Sequence, residues 1–217
     1  MTALYIVRHG ETRDNLEGRI QGHTDSPLTP LGIRQAEAIA SRLASEKFDA
    51  IYSSDLGRAV DTAEAIASCH NLPIQTTDLL REANLGKVQG LTQAEFESSY
   101  PDEYRKWRTD SVSNRPPDAE SLESVISRCK KFLKMILENY KDDERILAVV
   151  HGGSVRGLFC ATFGLPPTFF KHIRTANASL SIINIGERPS VELLNDTCHL
   201  WEVRVTEEDA DNAGALE

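Results

Sequence analysis

The sequence has no apolar run long enough to span a bilayer, and its first ten residues lack a basic stretch followed by an apolar one. It reads as a cytoplasmic chain without a membrane partner. Positive charge is in deficit: 24 Lys and Arg against 33 Asp and Glu leave a formal net charge of −9, which argues against a nonspecific nucleic-acid binder. An anionic ligand would need a locally positive pocket. Cys69, Cys129, Cys160 and Cys198 show no CxxC spacing and mostly interrupt apolar periodic segments, so they are expected to be reduced core thiols. The six histidines contain no HxH or HxxxH spacing, and no metal site is expected. Internal repeats and a second domain boundary are also lacking. The 217 residues, 40% hydrophobic and 26% charged, suit one domain over 1–205.

What is present begins with Leu4-Tyr5-Ile6-Val7-Arg8-His9-Gly10-Glu11-Thr12, an apolar, β-rich run that stops at a basic pair and a glycine. Ligands of open α/β sheets collect beyond the carboxyl ends of the strands, so Arg8 and His9 are expected at the ligand-binding edge. Gly10 is read as allowing close approach of the backbone to that ligand. Histidine can serve as nucleophile, base, acid or metal ligand; an adjacent arginine, with its fork of donors, points to phosphate or carboxylate oxygens. A histidine acting on a phosphate is the working inference.

Residues 13–28 read as a long, polar, glycine-punctuated loop. Thr29 and Pro30 then open a helix with Ile33, Ala36, Ala40 and Leu43 on one face. A strand over 48–52 leads through Ser53-Ser54-Asp55-Leu56-Gly57-Arg58 to a helix over 59–69, and a short strand lies near Ile74. Thr92 and Glu95 form a capping box. Residues 100–119 read as a short helix and loop outside the sheet, with Tyr104 and Trp107 as packing residues. The clearest helix covers 121–140, where Leu122, Val125, Ile126, Cys129, Phe132, Leu133, Ile136 and Leu137 make one stripe. A buried strand over 146–150 ends at His151-Gly152-Gly153, repeating the opening pattern, and the next helix stops at Gly164. Strands over 179–185 and 191–194 follow, then an acidic tail over 206–217 expected to be disordered. The alternation predicts an α/β fold, a three-layer sandwich with a mostly parallel central sheet and helices on both faces.

Arg8-His9-Gly10-Glu11-Thr12, Ser53 to Ala59, Glu82 and His151-Gly152-Gly153 fall in that order, each near a strand end. In this the chain resembles the histidine phosphatase superfamily, and within it the phosphoglycerate mutase-like branch. The resemblance runs from about Leu4 to His199 and takes in Gln21-Gly22, Leu28-Thr29, Asn177-Ala178-Ser179 and Leu194-Asn195-Asp196-Thr197. It implies that His9 is a nucleophile that becomes phosphorylated, that Arg8, Arg58 and His151 hold the phosphoryl oxygens, and that Glu82 is the proton donor. Asn15 and the amide of Gly152 would be further phosphate contacts, and Gln21, Gly22 and His23 are candidate substrate contacts. No cofactor is implied; the partner would be a small phosphorylated metabolite, and a homodimer is the assembly to look for.

These residue types suit phosphoryl transfer, which needs an in-line nucleophile, neutralised equatorial oxygens and a proton for the departing alkoxide. A neutral imidazole supplies the first, and two arginines with a second, protonated histidine would supply the second. Glu82 must carry a proton for the leaving group and then lose it to activate water.

Glu82 and His151 are 69 positions apart, a span that looks shorter than in the mutases, whose extra segment helps exclude water. Hydrolysis of phosphate monoesters is therefore the first reading. The alternative is a 2,3-bisphosphoglycerate-dependent phosphoglycerate mutase. A non-catalytic phospho-ligand binder would be expected to have lost His9 or Glu82, and both are present. Val88 and Gln89 stand where many members carry an aromatic and an acidic residue, and Pro117-Asp118-Ala119-Glu120-Ser121 only partly matches a glycine-rich element of relatives. Arg13, His23, Lys87, Arg108 and Arg115 are candidates to meet a second anionic group. Phosphoglycerate-like acids, phosphoserine, sugar phosphates and α-ribazole phosphate all stay open as substrates.

Overall fold

Alternation within two central strands builds both cores at once. In β1 (Thr2–Arg8), Leu4 and Ile6 face one apolar cluster while Tyr5 and Val7 face the other. In β4 (Arg145–Val150), Ile146, Ala148 and Val150 join the first, and Leu147 and Val149 the second. A strand buried on both faces reads as an unbroken apolar run because side chains alternate with period two. The computed structural model describes residues 1–203, so the acidic tail expected over 206–217 lies outside the described residues.

The sheet has six strands in the order β3-β2-β4-β1-β5-β6, with β2 at Ala50–Ser54, β3 at Ile74–Thr77, β5 at Leu180–Ile185 and β6 at Ser190–Asp196. The pairs β1 with β4, β2 with β4 and β2 with β3 are parallel; β5 runs antiparallel to both its neighbours. Helices cover both faces, as expected. On one lie α2 (Pro30–Leu43) and α3 (Gly57–Ala67); on the other lie α6 (Leu122–Asn139) and α7 (Gly152–Phe163). Among the described residues, no helix is long and apolar enough to cross a membrane.

Local signals start and stop these helices. Thr29 accepts a hydrogen bond from the Gly32 amide at the head of α2, and Ser121 accepts one from Ser124 at the head of α6. The left-handed Gly164, at φ 65°, closes α7. On α6, Val125, Cys129, Phe132 and Ile136 are fully buried, and each large apolar side chain among them contributes roughly 1.5–3 kcal/mol. The stripe is narrower than its periodicity suggested, since Leu137 is exposed.

Other expectations are corrected. The second strand begins two residues late, at Ala50. Ile33 is 49% exposed and Ile39 takes its place in the core, because the buried stripe of α2 centres on Gly32, Ala36, Ile39 and Leu43, with Ile33 beyond its edge. Residues 13–28 are not all loop: Thr12 and Asn15 make a capping box over the one-turn helix α1 (Arg13–Leu16). Cys129 and Cys160 are buried free thiols, but Cys69 and Cys198 are exposed, lying beyond the ends of α3 and β6. Tyr104 and Trp107 do pack: with α4 at Gln93–Ser99 and α5 at Pro101–Thr109, their rings close on Phe96 at centroid distances of 5.2 and 5.7 Å.

Candidate active site

Strand register assembles the site. Arg8 pairs with Val150 across parallel β1 and β4, so the next residues, His9 and His151, emerge side by side with ring centroids 5.1 Å apart. Ser53 of β2 pairs with Val149, and the chain then turns into α3, whose second residue is Arg58. Thr77 of β3 pairs with Ser54, and the chain passes a 3-10 turn at Asp78–Leu80 to reach Glu82. Four strand ends thus deliver their polar residues to one edge of the sheet.

His9 is 2% exposed, and its Nδ1 lies 2.7 Å from the carbonyl oxygen of Gly10. A carbonyl can only accept, so Nδ1 carries the proton and Nε2 keeps its lone pair. Burial, reinforced by the charges of Arg8 and Arg58, holds the imidazole well below its usual pKa, against the opposing bond to Gly10. It is therefore neutral at pH 7. Gly10 has a different reason from the one expected: a Cβ there would stand 2.5 Å from the carbonyl oxygen of Gly32. Close packing of two backbones, not of backbone on ligand, requires it.

His151 corrects another expectation. Burial first, then Arg58, His9, Arg8 and Arg128, hold its pKa well below the usual value, so the ring is neutral rather than protonated in this structure. Among the described residues, neither of its ring nitrogens has a hydrogen-bond partner.

Arg58 is 1% exposed. Its guanidinium donates to the carbonyl oxygens of Gly22 at 2.7 Å and Thr24 at 2.8 Å, and lies 3.5 Å from the Asp25 carboxylate. Asp25 also accepts the amides of Gly57 and Arg58 at the start of α3. Burial lowers the Arg58 pKa against the pull of Glu82, Asp25 and Asp14. Arg8 donates from Nη1 to the Thr175 carbonyl at 2.7 Å, while its buried Nε has no partner among the described residues. Burial pushes its pKa down to about 10; Glu82 opposes the shift, and Arg156 and Arg58 add to it.

Glu82 accepts the Gly153 amide at 3.0 Å through Oε2 and the Ala83 amide at 2.7 Å through Oε1. The Asn15 carbonyl Oδ1 accepts from the Thr12 amide at 3.2 Å and from Asn177 Nδ2 at 3.0 Å, which leaves its own Nδ2 as the available donor. Asn177 Nδ2 also lies 3.2 Å from the carbonyl oxygens of His9 and Gly10.

The structure thus brings together Arg8, His9, Arg58, Glu82, His151 and Gly152, with Asn15 tied to them through Asn177. The 21–23 segment braces this group: Gly22 receives Arg58, and His23 donates from Nε2 to the Glu82 carbonyl at 2.8 Å. Gln21 is buried, and its Oε1 has no partner among the described residues. Of the five cations considered for a second anion, Arg13 pairs with Glu17, Lys87 with Asp118, and Arg108 is exposed on α5. Only Arg115 and His23 come near Glu82.

Asp25, Arg156 and Thr175 were not singled out from the sequence, and Gly153 and Asn177 stood only within motifs, with no role given to either. A signal existed for Arg156, which follows Gly152 by four positions and so shares its helix face. Among the described residues, no three His, Cys, Asp or Glu side chains are grouped to hold a metal ion. The arrangement can offer a neutral imidazole nitrogen and a carboxyl group to one bound phosphoryl group, with two guanidiniums and an imidazole around it.

A family model described as histidine phosphatase superfamily (branch 1) matches residues 4–197. The chain is 36% identical to phosphoserine phosphatase 1 of Hydrogenobacter thermophilus over 206 residues, 94% of this chain and 97% of the relative. It is also 36% identical, over 204 residues, to phosphoglycerate mutase-like protein 4 of Arabidopsis thaliana, covering 92% of this chain and 87% of the relative. Among solved structures, Entamoeba histolytica phosphoserine phosphatase in complex with 3-phosphoglyceric acid superposes with a TM-score of 0.80 at 30% identity, over 92% of this chain and all of the other.

Proposed function

Because the chain belongs to the histidine phosphatase superfamily (branch 1), we propose that it hydrolyses small-molecule phosphate monoesters through a phosphohistidine on His9, with Glu82 as proton donor and no metal. The observation that carries this reading is the bond from His9 Nδ1 to the Gly10 carbonyl, which leaves Nε2 as an oriented, unprotonated nucleophile. The depressed pKa keeps that nitrogen available across the neutral range.

In the first step Nε2 attacks phosphorus in line, the bond to the ester oxygen breaks, and the Glu82 proton passes to the departing alkoxide. Arg8, Arg58, His151, the Gly152 amide and Asn15 Nδ2 hold the equatorial oxygens. In the second step Glu82, now a carboxylate, takes a proton from water as the water oxygen attacks phosphorus. The phosphorus–nitrogen bond breaks, phosphate leaves, and both groups return to their starting states. His151 enters neutral and can gain a proton when a dianion arrives beside it, since the cost of charging it is set by burial, by three arginines and by His9.

Phosphate release from a panel of small monoesters, with His9→Ala as control, tests the reading. Release that depends on His9, with acid-labile labelling of the native chain by substrate phosphate, is expected. Conversion of 3-phosphoglycerate to its 2-isomer when primed by a bisphosphate, without release, would make the chain a mutase instead.

A further inference from the structure

Two stretches singled out in the sequence, Asn177-Ala178-Ser179 and Leu194-Asn195-Asp196-Thr197, take no part in the two steps of hydrolysis, and the fold sets one against the other. Resting on the reading of Asn15 as a phosphate contact, we propose that Asn195 and His199 are positioning residues for Asn15. They act through the 176–178 turn and Asn177. Asn195 lies near the end of β6, and His199 on the 3-10 turn Cys198–Leu200 that follows it.

The turn before β5 has to be held from outside. Ala178 sits at φ 51°, a left-handed conformation that a residue with a Cβ keeps only when its surroundings impose it. The C-terminal segment supplies those surroundings on both sides of Asn177. Asn195 Oδ1 accepts the Ala176 amide at 2.6 Å, and His199 Nε2 lies 2.9 Å from the Ala178 carbonyl oxygen. A carbonyl only accepts, so Nε2 carries the proton, and the bare Nδ1 accepts from Arg42 Nη1 of α2 at 3.0 Å. Arg42 is paired with Asp196, and the Asn195 amide donates to Ser181 Oγ at 3.0 Å, so both holding residues are themselves fixed.

Between the two holds, Asn177 aims its amide nitrogen at the site. Nδ2 lies 3.0 Å from Asn15 Oδ1 and 3.2 Å from the carbonyl oxygens of His9 and Gly10. All three are acceptors, so only the nitrogen of Asn177 can face them. A primary amide turned end for end keeps its shape, and a flipped Asn15 would present its carbonyl oxygen to a phosphate. The bond from Asn177 opposes that flip. A continuous chain of bonds thus runs from Arg42 through His199, the turn and Asn177 to Asn15.

Inorganic phosphate, titrated by calorimetry, tests the role without turnover. His199→Leu removes the donor to Ala178 and should weaken phosphate binding by about 3- to 10-fold, the usual worth of one hydrogen bond. His199→Gln, which keeps a donor and an acceptor, should restore most of that loss. In an Asn15→Ala background, His199→Leu should add less than about twofold, because the group it positions is gone. A loss by the same factor in both backgrounds, no loss in the native background, or no phosphate binding by the native chain would overturn the role. If His199→Leu does not fold, Asn195→Gly, which tolerates the φ of 52° at that position, carries the same cycle with the same outcomes. Failure to release phosphate from any monoester removes the phosphatase reading alone, and the binding cycle still decides the positioning role.

Discussion

Glu82 and Gly153, 71 positions apart in sequence, fit together with no room for a methyl group between them. The Gly153 amide donates to Oε2 at 3.0 Å, and a Cβ on Gly153 would stand 2.0 Å from Oε1. The glycine after Gly152 therefore seats the carboxyl group that the proposed mechanism uses twice.

Gly153→Ala should displace Glu82 from its seat. For alkyl phosphates we expect kcat/KM to fall by about 10²- to 10³-fold, within the usual worth of a positioned general acid. For p-nitrophenyl phosphate, whose leaving group departs without a proton, the loss should be much smaller. The ratio of the two, measured by steady-state kinetics, is the readout.

Glu82→Gln should reproduce that ratio without the steric change. The amide oxygen can still accept from Gly153, but no proton can be given to the alkoxide or taken from water. Equal losses on good and poor leaving groups would remove Glu82 as the acid.

Asp25→Ala should loosen Arg58. Its carboxylate accepts the Gly57 amide at 2.8 Å and lies 3.5 Å from the guanidinium. Loss of such a helix-start acceptor costs about 1 kcal/mol, which denaturant unfolding can resolve. Because Arg58 remains in the chain, KM for a phosphate ester should rise by about tenfold or less, well short of the effect of Arg58→Ala.

Stability should fall as pH drops from 7.5 toward 5. His9 and His151 have folded pKa values depressed by burial, and those of His70 and His199 are lowered too. Below the unfolded value of about 6.5, the unfolded chain takes up protons that the folded chain refuses, so stability is fully present above that pH and lost below it. Each strongly depressed histidine adds a slope of up to about 1.4 kcal/mol per pH unit in that window. Urea unfolding at pH 7.5 and 5.5 should show a smaller difference for His151→Gln than for the native chain.

Much of this architecture was legible because it depends on local pattern. The apolar runs before Arg8 and His151 read as buried strands, and the caps at Thr29 and Thr92 start helices where their hydroxyls sit. The helix face of α2 was misread at Ile33 because Gly32, silent in a hydrophobic pattern, occupies the centre of the stripe. A Cβ there would meet the Glu11 carbonyl oxygen at 1.9 Å. The exposed Cys69 and Cys198 were misread because composition does not tell where an element ends.

Arg8, His9, Arg58, Glu82 and His151 were visible as residue types standing near strand ends, which is a property of the chain in one dimension. Local pattern along the chain therefore set the sheet, its helices and the edge to which the polar residues are delivered. Tertiary structure alone decided which nitrogen of His9 is free, that His151 is neutral, and which groups hold Asn15 and Glu82. Asn177 reaches the His9 carbonyl across 168 positions, and Arg8 reaches the Thr175 carbonyl across 167. Burial, hydrogen-bond partners and the sum of nearby charges exist only once such distant segments meet, and those three quantities set the protonation and aim of every group in the site.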